Sequence, residues 1–482
     1  MTKIETALET TFEKMMQDLH VPGAAVAIVK DGKVILSQGF GYRNLEKKER
    51  VTPQTLFAIG SSSKAFGAFS LSLLAQQKKF DWDAPVQDYV PSFSLLDKVA
   101  STQLTARDLA AHRSGVSRHD MVWYNSALSR KGIVDKLKHL PLDAPLRTTF
   151  LYNNLMYATM SYMVESITNQ TWEQYTTDHI LQPLQMDNTN FSVNDSKRND
   201  NAALPYIEKD GDIIEIPFRN IDTVGAAGCI NSTVEDMAKW LLLHLNQGKM
   251  NDHQILDTAL LQQLYTPHNQ VPDQPLLTVP ESPVNSYGLG WFISSYRGYK
   301  MVHHGGNIDG FSAFASFMPT ENIGIVILTN VSGSLLPLYM AHHMYDELLD
   351  LSPIDWHKRA VEDSGKFKEM MNQFNDLLPK QVKDTNPSHP VQDFTGTFEH
   401  PAYGTLEVYE KNNELYFKFL DVEAPLTHYH YDVFSSTFDW MHIEMKILLA
   451  YQMNAAGTLH EIQVHSVVLF NDKPFTFKKV NK

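Results

Sequence analysis

Ser61-Ser62-Ser63-Lys64 places a hydroxyl and an amine three residues apart. On a helix that spacing is one turn, so both side chains leave the same face. A lysine amine held there, if neutral, can take the serine proton and leave an alkoxide nucleophile. A helix start at this point favours the developing negative charge and disfavours ammonium on Lys64. The apolar residues that follow, Phe66, Phe69, Leu71, Leu73 and Leu74, suit a buried helix. The tetrad alone also fits an ordinary serine N-cap with an exposed lysine one turn later.

Two further groupings carry compatible chemistry. Tyr152-Asn153-Asn154 offers a phenol and an amide on one short turn ahead of a helical pattern. A phenolate can share a proton with a lysine and act as general base. The amide of Asn154 can hold a substrate carbonyl and orient the lysine. Val302-His303-His304-Gly305-Gly306 closes an apolar strand. Glycines there let a substrate backbone lie against the strand. The backbone N–H groups of Ser61 and Gly306 would then form an oxyanion hole. Each grouping also has a plainer reading, as a surface turn or a strand end.

The elements that must position these groups are legible in outline. Ile4, Leu8, Met15 and Leu19 space like one stripe of an amphipathic helix. Ala24 to Val29 and Lys33 to Gly39 form a hairpin about Asp31-Gly32. Helices are expected from Thr105, over Asn154 to Thr168, and over Ser232 to His244, the last with Ser232 and Glu235 as a capping box. Strands return at Gly288 to Ser294, Tyr299 to His303, Ser312 to Met318 and Ile323 to Thr329. A chain with strands at both ends and helices between them builds one sheet with an inserted helical lobe. The crevice between sheet and lobe is the natural place for a site. Asp384 to Pro390 breaks a charged helical stretch. Beyond it, hairpins such as Gly404 to Tyr409 with Leu415 to Leu420, and Lys446 to Met453 with Leu459 to Val467, suit a small antiparallel barrel of about eight strands.

Taken in order, these motifs resemble the class C β-lactamase and penicillin-recognising serine hydrolase family, which also holds cytosolic esterases and D-amino-acid peptidases. The resemblance runs from about Ile4 to Asn330. It includes Phe57 to Lys64, Leu104 to Val116, Tyr152 to Asn154, Gly225 to Thr233, Tyr287 to Trp291 and His303 to Gly306. The tail resembles a lipocalin-like β-domain. The fold so implied is α+β: a β-lactamase-like antiparallel sheet flanked by helices, with an inserted helical lobe and a C-terminal antiparallel β-barrel. The expected division is residues 1–352, a helical linker over 353–390, and the barrel over 391–482. The resemblance implies that Ser61 is acylated and that Lys64 and Tyr152 move the proton. It makes Asn154, His303 and Gly305 substrate contacts, with His303 in place of the lysine of the K-T-G form. A histidine is only partly charged near neutral pH, so it is a poor anchor for a β-lactam carboxylate. Small esters, amides or peptides are therefore the expected substrates, with weak or no β-lactamase activity. The alternatives are a penicillin-binding, DD-peptidase or transpeptidase-like enzyme, and a catalytically silent binding module.

Composition narrows the field. Hydrophobic content of 43% and charged content of 20% describe a globular chain. Lys+Arg 41 against Asp+Glu 55 leaves −14, which argues against nucleic acid and anionic membrane surfaces. The single cysteine, Cys229, permits no intrachain disulfide and reads as a small buried thiol. Acidic residues Glu5, Glu9, Glu13 and Asp18 do not suit a secretion signal, and a cytoplasmic location is expected. His428-Tyr429-His430-Tyr431-Asp432 alternates like a metal motif but lacks further ligands nearby, so a polar strand face is the better reading. No cofactor or metal is expected. A small-molecule or peptide substrate is the expected partner, and self-association into a homo-oligomer is left open.

Overall fold

The structure is a computed structural model and describes residues 3–272, 279–373, 377–440, 443–466 and 473–480. The chain forms two compact units. One comprises Met1–Arg118, Ser129–Asp135 and Pro141–Lys366; the other comprises His119–Leu128, Lys136–Leu140 and Phe367–Lys482.

The first unit is built on a sheet of nine strands among the described residues. In chain order these are β1 (Gly23–Lys30), β2 (Lys33–Asn44), β3 (Glu49–Arg50), β4 (Asn269–Gln270), β5 (Val284–Tyr287), β6 (Phe292–Tyr296), β7 (Tyr299–Ile308), β8 (Phe311–Met318) and β9 (Ile323–Thr329). Their spatial order is β4-β5-β6-β7-β8-β9-β1-β2-β3. The two ends of this unit therefore meet in the sheet, where Ala24 lies opposite both Phe40 and Thr329. β8 and β9 are buried along their whole length. Strands covered on both faces need no polar alternation, which is why they read as continuous apolar runs.

Helices supply the two covers. Phe12 and Met15 of α1 (Lys3–Asp18), with Met340 and Met344 of a late helix at Leu336–Leu348, pack against Val26, Ile28, Ile325 and Ile327. The opposite face takes the helix at Val234–Leu245, whose Leu241 side chain sits over Gly324. That helix starts one residue later than its sequence suggests. Thr233, not Ser232, is the N-cap and accepts the Asp236 N–H, because Ser232 is paired in a short strand with Phe57. The strand expected from Gly288 begins instead at Phe292. Gly288 to Trp291 makes a turn, with the Gly288 N–H on the Trp291 carbonyl.

The second unit holds a closed barrel of eight antiparallel strands. They are β10 (Gly396–His400), β11 (Gly404–Lys411), β12 (Glu414–Phe419), β13 (Val422–His430), β14 (Val433–Trp440), β15 (Ile443–Met453), β16 (Leu459–His465) and β17 (Phe475–Lys479). Val467, the expected end of the seventh strand, lies outside the described residues. Within this unit His119 Nδ1 meets the Tyr403 hydroxyl at 2.7 Å, and Lys136 Nζ donates to the Pro401 carbonyl at 2.7 Å. The side chains at the His428-to-Asp432 strand end bond to the preceding chain. His430 Nδ1 accepts the Val382 N–H, and Asp432 accepts both the Ser388 N–H and its hydroxyl.

Four buried histidines of the first unit, His244, His303, His304 and His342, have their protonation pushed down to about 3 by burial. Unfolded, each would titrate near 6.5. Below that pH the unfolded chain binds protons that the folded chain refuses, so acid removes stability. Each of these histidines therefore contributes stability that is fully present above about pH 6.5 and is lost as the pH falls below it. The urea midpoint is expected to fall steadily from pH 7 to pH 4. Replacing His342, which stacks 4.7 Å from the Tyr296 ring and has no hydrogen-bond partner on either ring nitrogen among the described residues, by phenylalanine should flatten that slope. An unchanged slope would refute the assignment.

Candidate active site

Ser61 lies in a tight turn, Gly60–Ser63, that runs directly into α2 (Lys64–Gln76). Such a 3₁₀ turn nearly eclipses residues three apart, which brings the amine over the hydroxyl. Lys64 Nζ stands 3.0 Å from Ser61 Oγ. Lys64 is wholly buried, whereas Ser61 is only half-buried and so can be reached. The amine also donates to Asn154 Oδ1 at 2.8 Å and to the Ala227 carbonyl at 2.7 Å. These three acceptors are uncharged. As ammonium, Lys64 spends its three protons on them; as neutral amine it can accept the Ser61 proton through its lone pair.

Asn154 opens the helix α3 (Asn154–Thr168), whose N-cap is Asn153. Asn153 Oδ1 accepts the Leu155 N–H at 2.7 Å, and its amide donates to the Val116 carbonyl at 3.0 Å. This cap fixes the residues on either side of it. Tyr152 is half-buried, with its ring centroid 4.7 Å from Lys64 Nζ. The hydroxyl, amine, amide and phenol from two separate stretches of sequence, 61–64 and 152–154, thus share one site.

Strand β7 forms the facing wall. The turn and the strand touch so closely that side chains are excluded at two points. A Cβ on Gly306 would stand 1.9 Å from the Ile59 carbonyl and 3.0 Å from the Ser61 nitrogen. Gly60, at φ 49°, packs its α-carbon against the Asn307 backbone. Ser62 adds a hydrogen bond from its hydroxyl to the His304 carbonyl at 3.1 Å. β6 pairs with β7 only as far as Phe292 opposite His303, and Gly305 beyond it is half-exposed.

The two histidines of β7 point to opposite faces of the sheet. His303, expected at the substrate, is not brought there. It is buried between Phe292 and Phe314, with Nε2 2.6 Å from Ser294 Oγ. His304 faces the site instead, its ring 6.3 Å from that of Tyr152. Its Nδ1–H donates to the Gly305 carbonyl at 2.6 Å, so Nε2 accepts the Tyr287 hydroxyl at 2.9 Å. Burial, with Lys64 close by, pushes its protonation down to about 3. The ring is therefore neutral near pH 7.

The Ala227 carbonyl was not anticipated, since backbone atoms leave no side-chain signal. Its segment, Asp222–Ala227, is pinned from behind. Arg130 donates to the Asp222 and Thr223 carbonyls and pairs with Glu165 and Glu173; Ser161 Oγ accepts the Ala226 N–H at 2.9 Å. The neighbouring Cys229 thiol is buried and pushed well above its usual range by that burial. Among the described residues no group of three or more His, Cys, Asp or Glu side chains is placed to hold a metal ion, and no helix is long and apolar enough to cross a membrane.

Residues 8–344 match the family described as Beta-lactamase. The chain belongs to that family of serine hydrolases. Residues 380–479 match a domain of unknown function, DUF3471. Among curated relatives, the unguisins hydrolase ungD' of Aspergillus campestris is 29% identical over 433 residues, covering 84% of this chain and 78% of the relative. Protein flp of Staphylococcus aureus is 29% identical over 376 residues, covering 76% and 70%. The octameric penicillin-binding protein homologue from Pyrococcus abyssi superposes with a TM-score of 0.65 at 22% identity, covering 98% of this chain and 99% of that one. The penicillin-binding protein from Bacillus halodurans gives 0.58 at 23% identity, over 70% and 99%. At these identities the two structures speak for the fold alone.

Proposed function

We propose that this Beta-lactamase family member hydrolyses small esters, amides or peptides through an acyl-enzyme on Ser61. The observation that carries the reading is the buried Lys64 amine held between Ser61 Oγ, Asn154 Oδ1 and the Ala227 carbonyl, beside the Tyr152 ring. The neutral amine, with Tyr152, takes the Ser61 proton as Oγ attacks the substrate carbonyl. The oxyanion rests on the Ser61 and Gly306 N–H groups. The stored proton passes to the leaving alcohol or amine. Water, deprotonated in turn by the Tyr152–Lys64 pair, then releases the acid. Asn154 orients Lys64 and contacts the acyl amide, and Gly305 leaves the strand edge clear for the substrate.

We take His304, rather than His303, to replace the lysine of the K-T-G form, because His304 is the one that faces Tyr152. A neutral imidazole already bonded to Tyr287 offers no fixed cation to a substrate carboxylate. That favours acyl donors that need no carboxylate anchor over β-lactams. The name of the Aspergillus relative, a hydrolase, agrees with turnover rather than a stalled adduct. We also propose self-association, on the octameric state named for the Pyrococcus homologue; light scattering reads it.

A panel of short-chain p-nitrophenyl esters, D-aminoacyl amides and a chromogenic cephalosporin tests the reading. The best ester or amide is expected to exceed the cephalosporin by at least about 10²-fold in kcat/KM, the worth of a lost charge-assisted contact. A cephalosporin turned over as well as the best ester would overturn it, and covalent labelling by penicillin without turnover would point to the stalled alternative.

A further inference from the structure

His112 grips the chain on both sides of Tyr152. Its carbonyl accepts the Leu151 N–H at 2.8 Å, and its Nδ1 accepts the Asn153 N–H at 3.1 Å. The residue follows the helix Ala106–Ala110 with left-handed backbone, φ 54°, which few residues other than glycine adopt. That bend is what lets one residue present both its carbonyl and its ring to the same strip of chain. The ring lies 4.3 Å from the Tyr152 ring, and Phe150, Tyr157 and Tyr287 enclose it at 5.5, 5.2 and 4.9 Å.

Packing alone does not call for a histidine here. The side chain is wholly buried, and Nε2 has no hydrogen-bond partner among the described residues. Because Nδ1 accepts a backbone donor, the neutral ring carries its proton on that unpartnered Nε2. An unmet buried donor is a cost that phenylalanine would avoid in the same aromatic cage. What phenylalanine cannot supply is the acceptor for Asn153. Burial first, and then the cationic groups Lys64 and Arg118 nearby, hold protonation of His112 far below the usual range. It is therefore no proton carrier itself.

We infer that His112 is a positioning residue which sets the Tyr152 phenol against Lys64 by bonding both flanking amides and packing on the ring. The inference rests on the reading of Tyr152 as part of the proton-transfer pair. It is tested in the full-length chain with His112→Phe, which keeps a ring and loses the acceptor, and His112→Asn, which keeps an acceptor near Nδ1. Tyr152→Phe and the double variants complete a cycle. His112→Phe is expected to lower kcat on the best ester about 10- to 100-fold, within the range of misplaced proton-transfer groups. KM should stay within about threefold, the pH profile of kcat should shift, and His112→Asn should recover part of the loss. In the Tyr152→Phe background either His112 change should cost less than about threefold, because its effect passes through the phenol. A wild-type kcat and pH profile in His112→Phe would overturn the inference, as would losses that multiply in the double variant. If His112→Phe does not fold, the same cycle with His112→Leu, which also loses the acceptor for Asn153, decides by the same two outcomes. Should Tyr152→Phe itself retain full turnover, the proposed mechanism fails; a crippled Tyr152→Phe beside an unaffected His112 variant sinks the positioning role alone.

Discussion

Ser61→Ala is expected to abolish covalent labelling by an active-site serine probe and to cut ester turnover by at least about 10⁴-fold, as removal of a nucleophile does elsewhere. The neighbouring serines sharpen the experiment. Ser62 and Ser63 are buried, and each hydroxyl is engaged, Ser62 with the His304 carbonyl and Ser63 with the Ile230 N–H. Ser61 alone of the three is half-buried and within 3.0 Å of a lysine amine. Mass spectrometry of the labelled protein should therefore place the adduct on Ser61. Ser62→Ala and Ser63→Ala should still label there. An adduct on another residue, or turnover in Ser61→Ala within tenfold of wild type, would remove the nucleophile from this position.

Much of this arrangement is written locally. The Ser61–Lys64 pairing is a matter of helical pitch, and Asp31-Gly32 turns between β1 and β2 with both residues at positive φ, as a tight hairpin requires. The barrel strands alternate because one face looks inward; β11 and β12 bury Leu406, Val408, Leu415 and Phe417 in turn. What failed to show depends on distant partners. Which of His303 and His304 meets the site is fixed by register, and a shift of one residue exchanges the faces. That register is set by Phe292 opposite His303 and by the contact of Gly306 with Ile59, neither of which is visible from either stretch alone. The Ala227 carbonyl is a backbone atom, and the glycine-rich run around it marks only a turn. His112 falls inside a motif that carries the family resemblance, yet its work is done by contacts to Leu151 and Asn153, about forty residues away. Nor does composition reveal that residues 119–128 and 136–140 cluster with the C-terminal barrel unit.

Lys64 allows stability and activity to be pulled apart. Buried and bonded to Ser61, Asn154 and the Ala227 carbonyl, it gains hydrogen bonds but carries the desolvation cost of any charge it bears. Lys64→Met keeps the length and apolar stem. It leaves Asn154 Oδ1 and the Ala227 carbonyl without this donor, a loss of about 1–3 kcal/mol for each group left unsatisfied. Against that stands relief of a buried amine, worth several kcal/mol when the amine is charged. The two effects are of similar size, so the urea midpoint of Lys64→Met should change little. Turnover should fall by about 10²- to 10⁴-fold, because nothing remains to take the Ser61 proton. Lys64→Arg discriminates further. Its guanidinium keeps a cation in the site but stays protonated at any working pH, so it cannot act as a base. If the amine serves only as a fixed positive charge, Lys64→Arg should retain activity within tenfold. If it carries the proton, Lys64→Arg should be as inactive as Lys64→Met. Activity surviving in either variant would end the lysine's role as base.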